Sequence, residues 1–170
     1  MADTLLKVDN INVYYGNIHA VKDISFQVNE GEIVTLIGAN GAGKSTFIKI
    51  LGGVYKRDGG SILWDGKELP EAIRPEESRN LGINIIFQDN VLIPAFTGAE
   101  NICLGRPYPV KGGLIRWKEM EREAEEKAAE LGIRLDLKKT VSAMTPAQKK
   151  CVEIVRAMMS DCKLLILDEP

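Results

Sequence analysis

This 170-residue sequence predicts an α/β fold, on three observations. Continuous apolar runs at 33–37, 83–87 and 164–167 read as strands covered on both faces. A glycine-rich loop, 38–43, leads from the first run straight into a helical pattern. A block of helical periodicity, roughly 90–160, stands between the other two runs as an insertion.

The elements follow in order. In the first third, Ile24, Phe26 and Val28 alternate with Asp23, Ser25 and Gln27, the period of a half-buried strand. Asn29-Glu30-Gly31 makes a turn, and the apolar run 33–37 follows as a buried strand. Residues 45–51 read as a helix that stops at Gly52-Gly53. Residues 61–64 and 67–69 flank Asp65-Gly66, a strong hairpin signal. After the buried strand 83–87, residues 97–104 form a short helix and 105–113 a Gly/Pro loop. A longer helix spans 117–131: Trp117, Met120, Ala124, Ala128 and Leu131 repeat at three and four residues, and Gly132 ends it. Thr145-Pro146-Ala147-Gln148 opens another helix, with a cap, a first-turn proline and a capping-box glutamine; it runs to about Met159. Leu164–Leu167 is the last buried strand.

Composition narrows the class. The chain is 45% hydrophobic and 27% charged, enough for a core and unlike a disordered segment. A net charge of -2 supplies no basic field for nucleic acid or anionic membrane. No apolar run approaches the ~20 residues that span a bilayer, and Met1-Ala2-Asp3-Thr4 is unlike a signal peptide. A cytosolic chain is expected, linked to a membrane only through a partner. Cys103, Cys151 and Cys162 are widely spaced and His19 is the sole histidine, so reduced, packed cysteines are expected rather than a zinc site.

Gly38-Ala39-Asn40-Gly41-Ala42-Gly43-Lys44-Ser45 fits the phosphate-loop pattern G-x-x-x-x-G-K-[ST]. A triphosphate carries several negative charges and needs many donors close by. Glycines let backbone N–H groups turn inward with no Cβ in the way. The helix start adds its positive dipole end. Lys44 places a point charge between the β- and γ-phosphates, and the Ser45 hydroxyl ligates Mg²⁺. ATP and Mg²⁺ are the ligands this predicts, on a P-loop NTPase core. The run 164–167 ends in Asp168-Glu169. In a parallel sheet such an end faces the ligand crevice. Asp168 can there hold Mg²⁺ through water, and Glu169 can orient the attacking water or take its proton.

With these motifs the whole chain resembles the nucleotide-binding domain of ABC transporters. Tyr15-Gly16, 29 residues before Lys44, is similar to the family's adenine-stacking aromatic, and Ala20 lines the same pocket by that resemblance. Thr46, next to Ser45, joins the nucleotide-binding set. Gln88, after the strand 83–87, is similar to the Q-loop glutamine, which contacts Mg²⁺ or the attacking water and senses the membrane partner. Residues 58–66 resemble the family's Gly-x-Ile-x-x-x-Gly hairpin. The resemblance implies an N-terminal antiparallel β subdomain and an inserted helical subdomain. One domain over 1–170 is expected: a β and core part at 1–88, the helical part at 89–160, and an acid-ended strand at 161–170.

The wording at 51–55, 99–105 and 152–157 resembles the first ATPase half of monosaccharide importers, of the ribose and galactose type. The resemblance implies a second ATPase half in a head-to-tail dimer, a polytopic membrane permease, an extracytoplasmic sugar-binding protein, and a place on the cytoplasmic face of the plasma membrane. The loop after Gln88 would pass motion to the permease. Val91, Leu92, Ile93 and Phe96, within 90–97, either face that subunit or pack in the core.

Two departures stand out. The family's Leu-Ser-Gly-Gly-Gln segment aligns with Met144-Thr145-Pro146-Ala147-Gln148. Thr145 can keep the hydroxyl, but Pro146 lacks an N–H and Ala147 adds a methyl where phosphate approaches. A poor trans-activator is expected. The sequence also stops at Pro170, so the domain is expected to be C-terminally incomplete, marginally stable alone and weakly active. Other classes compete: a module that clamps nucleotide with little turnover, a soluble ABC ATPase not linked to transport, and a P-loop kinase. No basic stripe supports a nucleic-acid partner, and kinases usually lack the aromatic spacing and the Gln-loop insertion.

Overall fold

A computed structural model of the chain describes residues 3–39, 41–87 and 92–168. They fall into two compact units, Met1–Ile83 and Asn84–Pro170.

The first unit is an antiparallel sheet with a helix on it. Strands β1 (Thr4–Tyr15) and β2 (Ile18–Asn29) form a long hairpin, with Tyr15 opposite Ile18 and Thr4 opposite Asn29. Strand β3 (Gly59–Trp64) pairs with the other edge of β1, and β4 (Lys67–Glu68) with β3, giving the order β2-β1-β3-β4. The alternation in β2 holds: Val28 is buried and Ile24 and Phe26 half-buried, while Asp23, Ser25 and Gln27 are exposed. Asp65 and Gly66 both take positive φ, 50° and 73°, as a two-residue hairpin turn of right-handed twist demands.

Helix α1 (Lys44–Leu51) buries Phe47, Ile48, Ile50 and Leu51, and Phe47 meets Phe26 of β2 edge-on at 5.3 Å between ring centres. It ends at Gly52, as its glycines imply. Helix α2 (Pro75–Asn80) was not anticipated, because six residues with no apolar stripe give no period to read. Pro75 starts it, and the Glu77 carboxylate accepts from the Arg74 amide at 2.6 Å and the Arg74 guanidinium at 3.0 Å. Those bonds, the amide's first, hold the Glu77 carboxyl below the usual glutamate range. Ser78 of α2 donates to the Leu51 carbonyl at 2.6 Å, satisfying an acceptor that the end of α1 leaves open. Arg57 is only 4% exposed. Its guanidinium donates to the carbonyls of Gly60, Leu69 and Pro70 at 2.7–3.0 Å, tying the segment after β4 to the start of β3.

One expectation fails here. The run 33–37 is not a buried strand: it forms no strand and pairs with none among the described residues, with Ile33 95% and Ile37 92% exposed. An apolar run specifies a covered strand but cannot supply the neighbour that covers it. Among the described residues no strand pairs with 33–37. The loop that follows therefore has a helix after it, as expected, but no strand before it.

The second unit opens within β5 (Ile83–Ile86), which pairs with β8 (Leu164–Leu167). β8 is half-buried throughout rather than buried, a second correction: with one paired neighbour among the described residues, it keeps an accessible side. Between the two strands lie helices α3 (Gly98–Cys103), α4 (Trp117–Glu130) and α5 (Pro146–Met158), as the periodicity predicts. Ile102, Ala124, Val152 and Val155 are fully enclosed where they meet, together with Leu137. Thr97 and Glu100 form a reciprocal cap on α3. Buried Asn101 exchanges bonds with both backbone groups of Ile93, which clamps the segment before α3. The apolar segment 90–97 divides: Leu92 joins the core, Ile93 is half-buried and Phe96 is exposed, while Val91 lies outside the described residues. The loop at 105–113 holds part of a small hairpin that was not anticipated, β6 (Val110–Lys111) with β7 (Leu114–Ile115). Cys103 packs as a small apolar residue, and burial pushes its thiol pKa up. Among the described residues no helix is long and apolar enough to cross a membrane.

Candidate nucleotide site

The loop 38–43 turns tightly. Gly41 and Gly43 both lie at φ 84°, and the Ala42 amide donates to the Ala39 carbonyl at 3.0 Å. Gly43 stands at the head of α1, accepting from the Phe47 amide at 2.9 Å. A helix offers an anion its first amides and the positive end of its dipole. α1 carries no acidic residue in its first turn to compete for them. The Lys44 ammonium folds back on the loop, donating to the carbonyls of Gly38 and, at 3.1 Å, Ala39. Lysine has three donors and no acceptor, so the same group can exchange carbonyl oxygens for phosphate oxygens.

Strand β2 closes one side. A Cβ on Gly43 would collide with the Ala20 carbonyl oxygen and the Val21 side chain. The close packing of β2 on the loop thus demands glycine and places Ala20 beside the loop. The hairpin tip closes the next side. Neighbouring residues of a strand point to opposite faces. Tyr14 stacks on His19 at 4.2 Å, while Tyr15 directs its hydroxyl to Thr46 Oγ1 of α1, at 3.3 Å. The tip is fastened by Asp58, whose carboxylate accepts from the Tyr14 amide at 2.8 Å and whose own amide donates to the Asn12 carbonyl at 2.9 Å. Asp58 was read only as part of a hairpin, since one carboxylate in a turn leaves no periodic signal.

The first unit thus gathers Tyr15, Ala20, Gly38, Ala39, Gly41, Ala42, Gly43, Lys44, Ser45 and Thr46 around one loop and one helix start. This donor set suits a polyphosphate. The Ser45 hydroxyl, exposed in the first turn, and the Asp168 carboxylate are hard oxygen ligands of the type Mg²⁺ takes. Asp168 follows β8 in the second unit, where its amide donates to the Ile86 carbonyl at 2.9 Å. Asn40, Gln88 and Glu169 lie outside the described residues.

The 144–148 segment starts α5. The Thr145 hydroxyl accepts from the Gln148 amide at 3.3 Å, and Gln148 Oε1 accepts from the Thr145 amide at 2.9 Å. Pro146 stands in the first turn, where a missing N–H costs the helix nothing.

The ABC transporter family model matches residues 21–170. The chain is 40% identical over 168 residues to the ribose import ATP-binding protein RbsA of Hahella chejuensis, covering 99% of this chain and 33% of that protein. It is 43% identical over 167 residues to ribose import ATP-binding protein RbsA 1 of Rubrobacter xylanophilus, with 98% and 33% covered. The chain thus spans about a third of the length of the curated relatives it matches. Among solved structures, a nucleotide-free ATP-binding cassette from an ABC transporter superposes with a TM-score of 0.81 at 28% identity, covering 98% of this chain and 69% of that one. The cbiO1 protein of Clostridium perfringens, part of the ABC transporter complex cbiONQ, gives 0.79 at 29% identity, with 99% and 66% covered. A matched span of this extent, on a fold of this likeness, means that the chain belongs to the ABC transporter family.

Proposed function

We propose that this chain is the ATP-binding part of a motor that energises sugar import through an ABC transporter. The observation that carries the proposal is the meeting of three parts in one unit: the Gly38–Gly43 loop, the start of α1, and the β1–β2 hairpin that brings Ala20 against Gly43 and Tyr15 against Thr46. The RbsA relatives, named as ribose import ATP-binding proteins, favour a sugar as cargo.

In this reading the loop amides and the Lys44 ammonium bind the triphosphate, and Tyr15 with Ala20 receives the adenine. The Ser45 hydroxyl and, in the second unit, Asp168 are the residues suited to hold Mg²⁺. When bound, that ion offsets phosphate charge as the terminal phosphoanhydride breaks. Gln88 and Glu169 orient the attacking water, and Glu169 takes its proton. The system would include a second ATPase half in a head-to-tail dimer, a polytopic permease and an extracytoplasmic sugar-binding protein, with this chain at the cytoplasmic face. Because Pro146 lacks an N–H and Ala147 adds a methyl where phosphate would approach, this copy would activate its partner's site poorly, while its own loop would depend on the partner's signature segment.

Lys44→Ala in the intact protein tests the reading. Losing charge-assisted bonds worth ~1.5–3 kcal/mol should weaken Mg-ATP binding about 10- to 100-fold and stop ATP-driven sugar uptake, with thermal unfolding unchanged. Undiminished ATP binding by that variant would sink it.

A further inference from the structure

We propose that Tyr55 is a positioning residue for the adenine site: it holds the Tyr15 ring in the orientation that receives the base. The inference rests on the nucleotide-site reading above and extends it to a residue which that reading does not use.

The argument starts from helix geometry. Thr46 and Lys49 stand three residues apart on α1, and so share a face. The Tyr15 hydroxyl lands on Thr46 at 3.3 Å. The Lys49 ammonium lies 5.5 Å from the centre of the Tyr55 ring. The two tyrosines, one from the end of β1 and the other from the segment after α1, meet at 5.8 Å between centres and 75° between planes. That is an edge-to-face pair, in which the positive edge of one ring meets the negative face of the other.

The backbone delivers Tyr55 there by construction. Gly53 turns at φ 72°, and a Cβ on it would run into the backbone of Arg74 and Pro75. The chain then folds back so that the amides of Val54 and Tyr55 both donate to the Lys49 carbonyl, at 2.8 and 3.2 Å. Tyr55 therefore lies beside the helix it has just left. Yet 38% of it stays exposed, as does 43% of Tyr15. Rings placed for core packing alone would be covered. These two keep open surface beside α1, and accessible aromatic surface is what a purine stacks on. Tyr55, braced by the Lys49 cation, removes the rotational freedom that Tyr15 would otherwise lose on binding.

The experiment compares Mg-ATP with inorganic tripolyphosphate, which has the phosphates but no base, as ligands of the intact protein. Tyr55→Leu should weaken ATP binding about 2- to 10-fold, the range an aromatic pair accounts for, and leave tripolyphosphate binding unchanged. Tyr55→Phe should bind ATP as the parent does. In a Tyr15→Ala background, which should itself weaken ATP alone, Tyr55→Leu should add nothing. Parent-like ATP binding by Tyr55→Leu, or equal loss of ATP and tripolyphosphate, would overturn the role of Tyr55 while leaving the adenine site in place. Parent-like ATP binding by Tyr15→Ala would instead overturn the adenine site, and this inference with it.

Discussion

Gly43 answers two demands at once. Its φ of 84° is a conformation other residues reach at a cost of ~1–3 kcal/mol. The space its Cβ would need is held by the Ala20 carbonyl and the Val21 side chain. Relief by moving β2 would carry Ala20 and the tip residue Tyr15 away from α1. Gly43→Ala should therefore lower stability by at least ~2 kcal/mol, read by chemical denaturation. It should also weaken ATP binding more than tripolyphosphate binding, because the hairpin supplies the base contacts. The sequence announces Gly43 through its pattern, and Lys44 and Ser45 with it, because phosphate chemistry constrains residue types at fixed spacing. Tyr15 entered the reading only through the family resemblance. Asp58 and Tyr55 were not legible, since what places them is a register across β1 and a glycine bend at 53, both of which need three dimensions.

At the scale of elements, local chemistry was read more faithfully than partnership. The cap of α5 was visible as Thr145, Pro146 and Gln148, and both reciprocal bonds form. Thr145→Ala removes the acceptor for the Gln148 amide, so it should cost about 1 kcal/mol, measured as a shift in the denaturation midpoint. Thr145→Ser should restore most of that. The α4 stripe and the Asp65-Gly66 hairpin were equally plain, as both are set within a few residues. The elements missed are those too short to show a period: α2, and the β6–β7 pair inside what reads as a loop. The strand expected at 33–37 failed for the opposite reason. Its composition is right, but a strand is a relation between two segments, and composition describes one.

At the scale of the molecule, the sheet of the first unit and the helical cluster of the second each have a core of their own. The order of strands, loop and helical insertion along the chain could be foreseen. The run 33–37 is what stands outside that order. Ile33 and Ile37 are almost wholly exposed, whereas Val34 and Leu36 are 39% and 38% exposed. Replacing Ile33 and Ile37 together by lysine should leave the melting temperature within about a degree, because little in the fold touches them. It should also reduce self-association of the 170-residue chain, read by light scattering across a dilution series. A naked greasy ribbon of this sort does its damage in encounters between molecules, so the harm grows with the square of how many are present. Crowded synthesis, more than heat, then decides how much of the chain stays in solution.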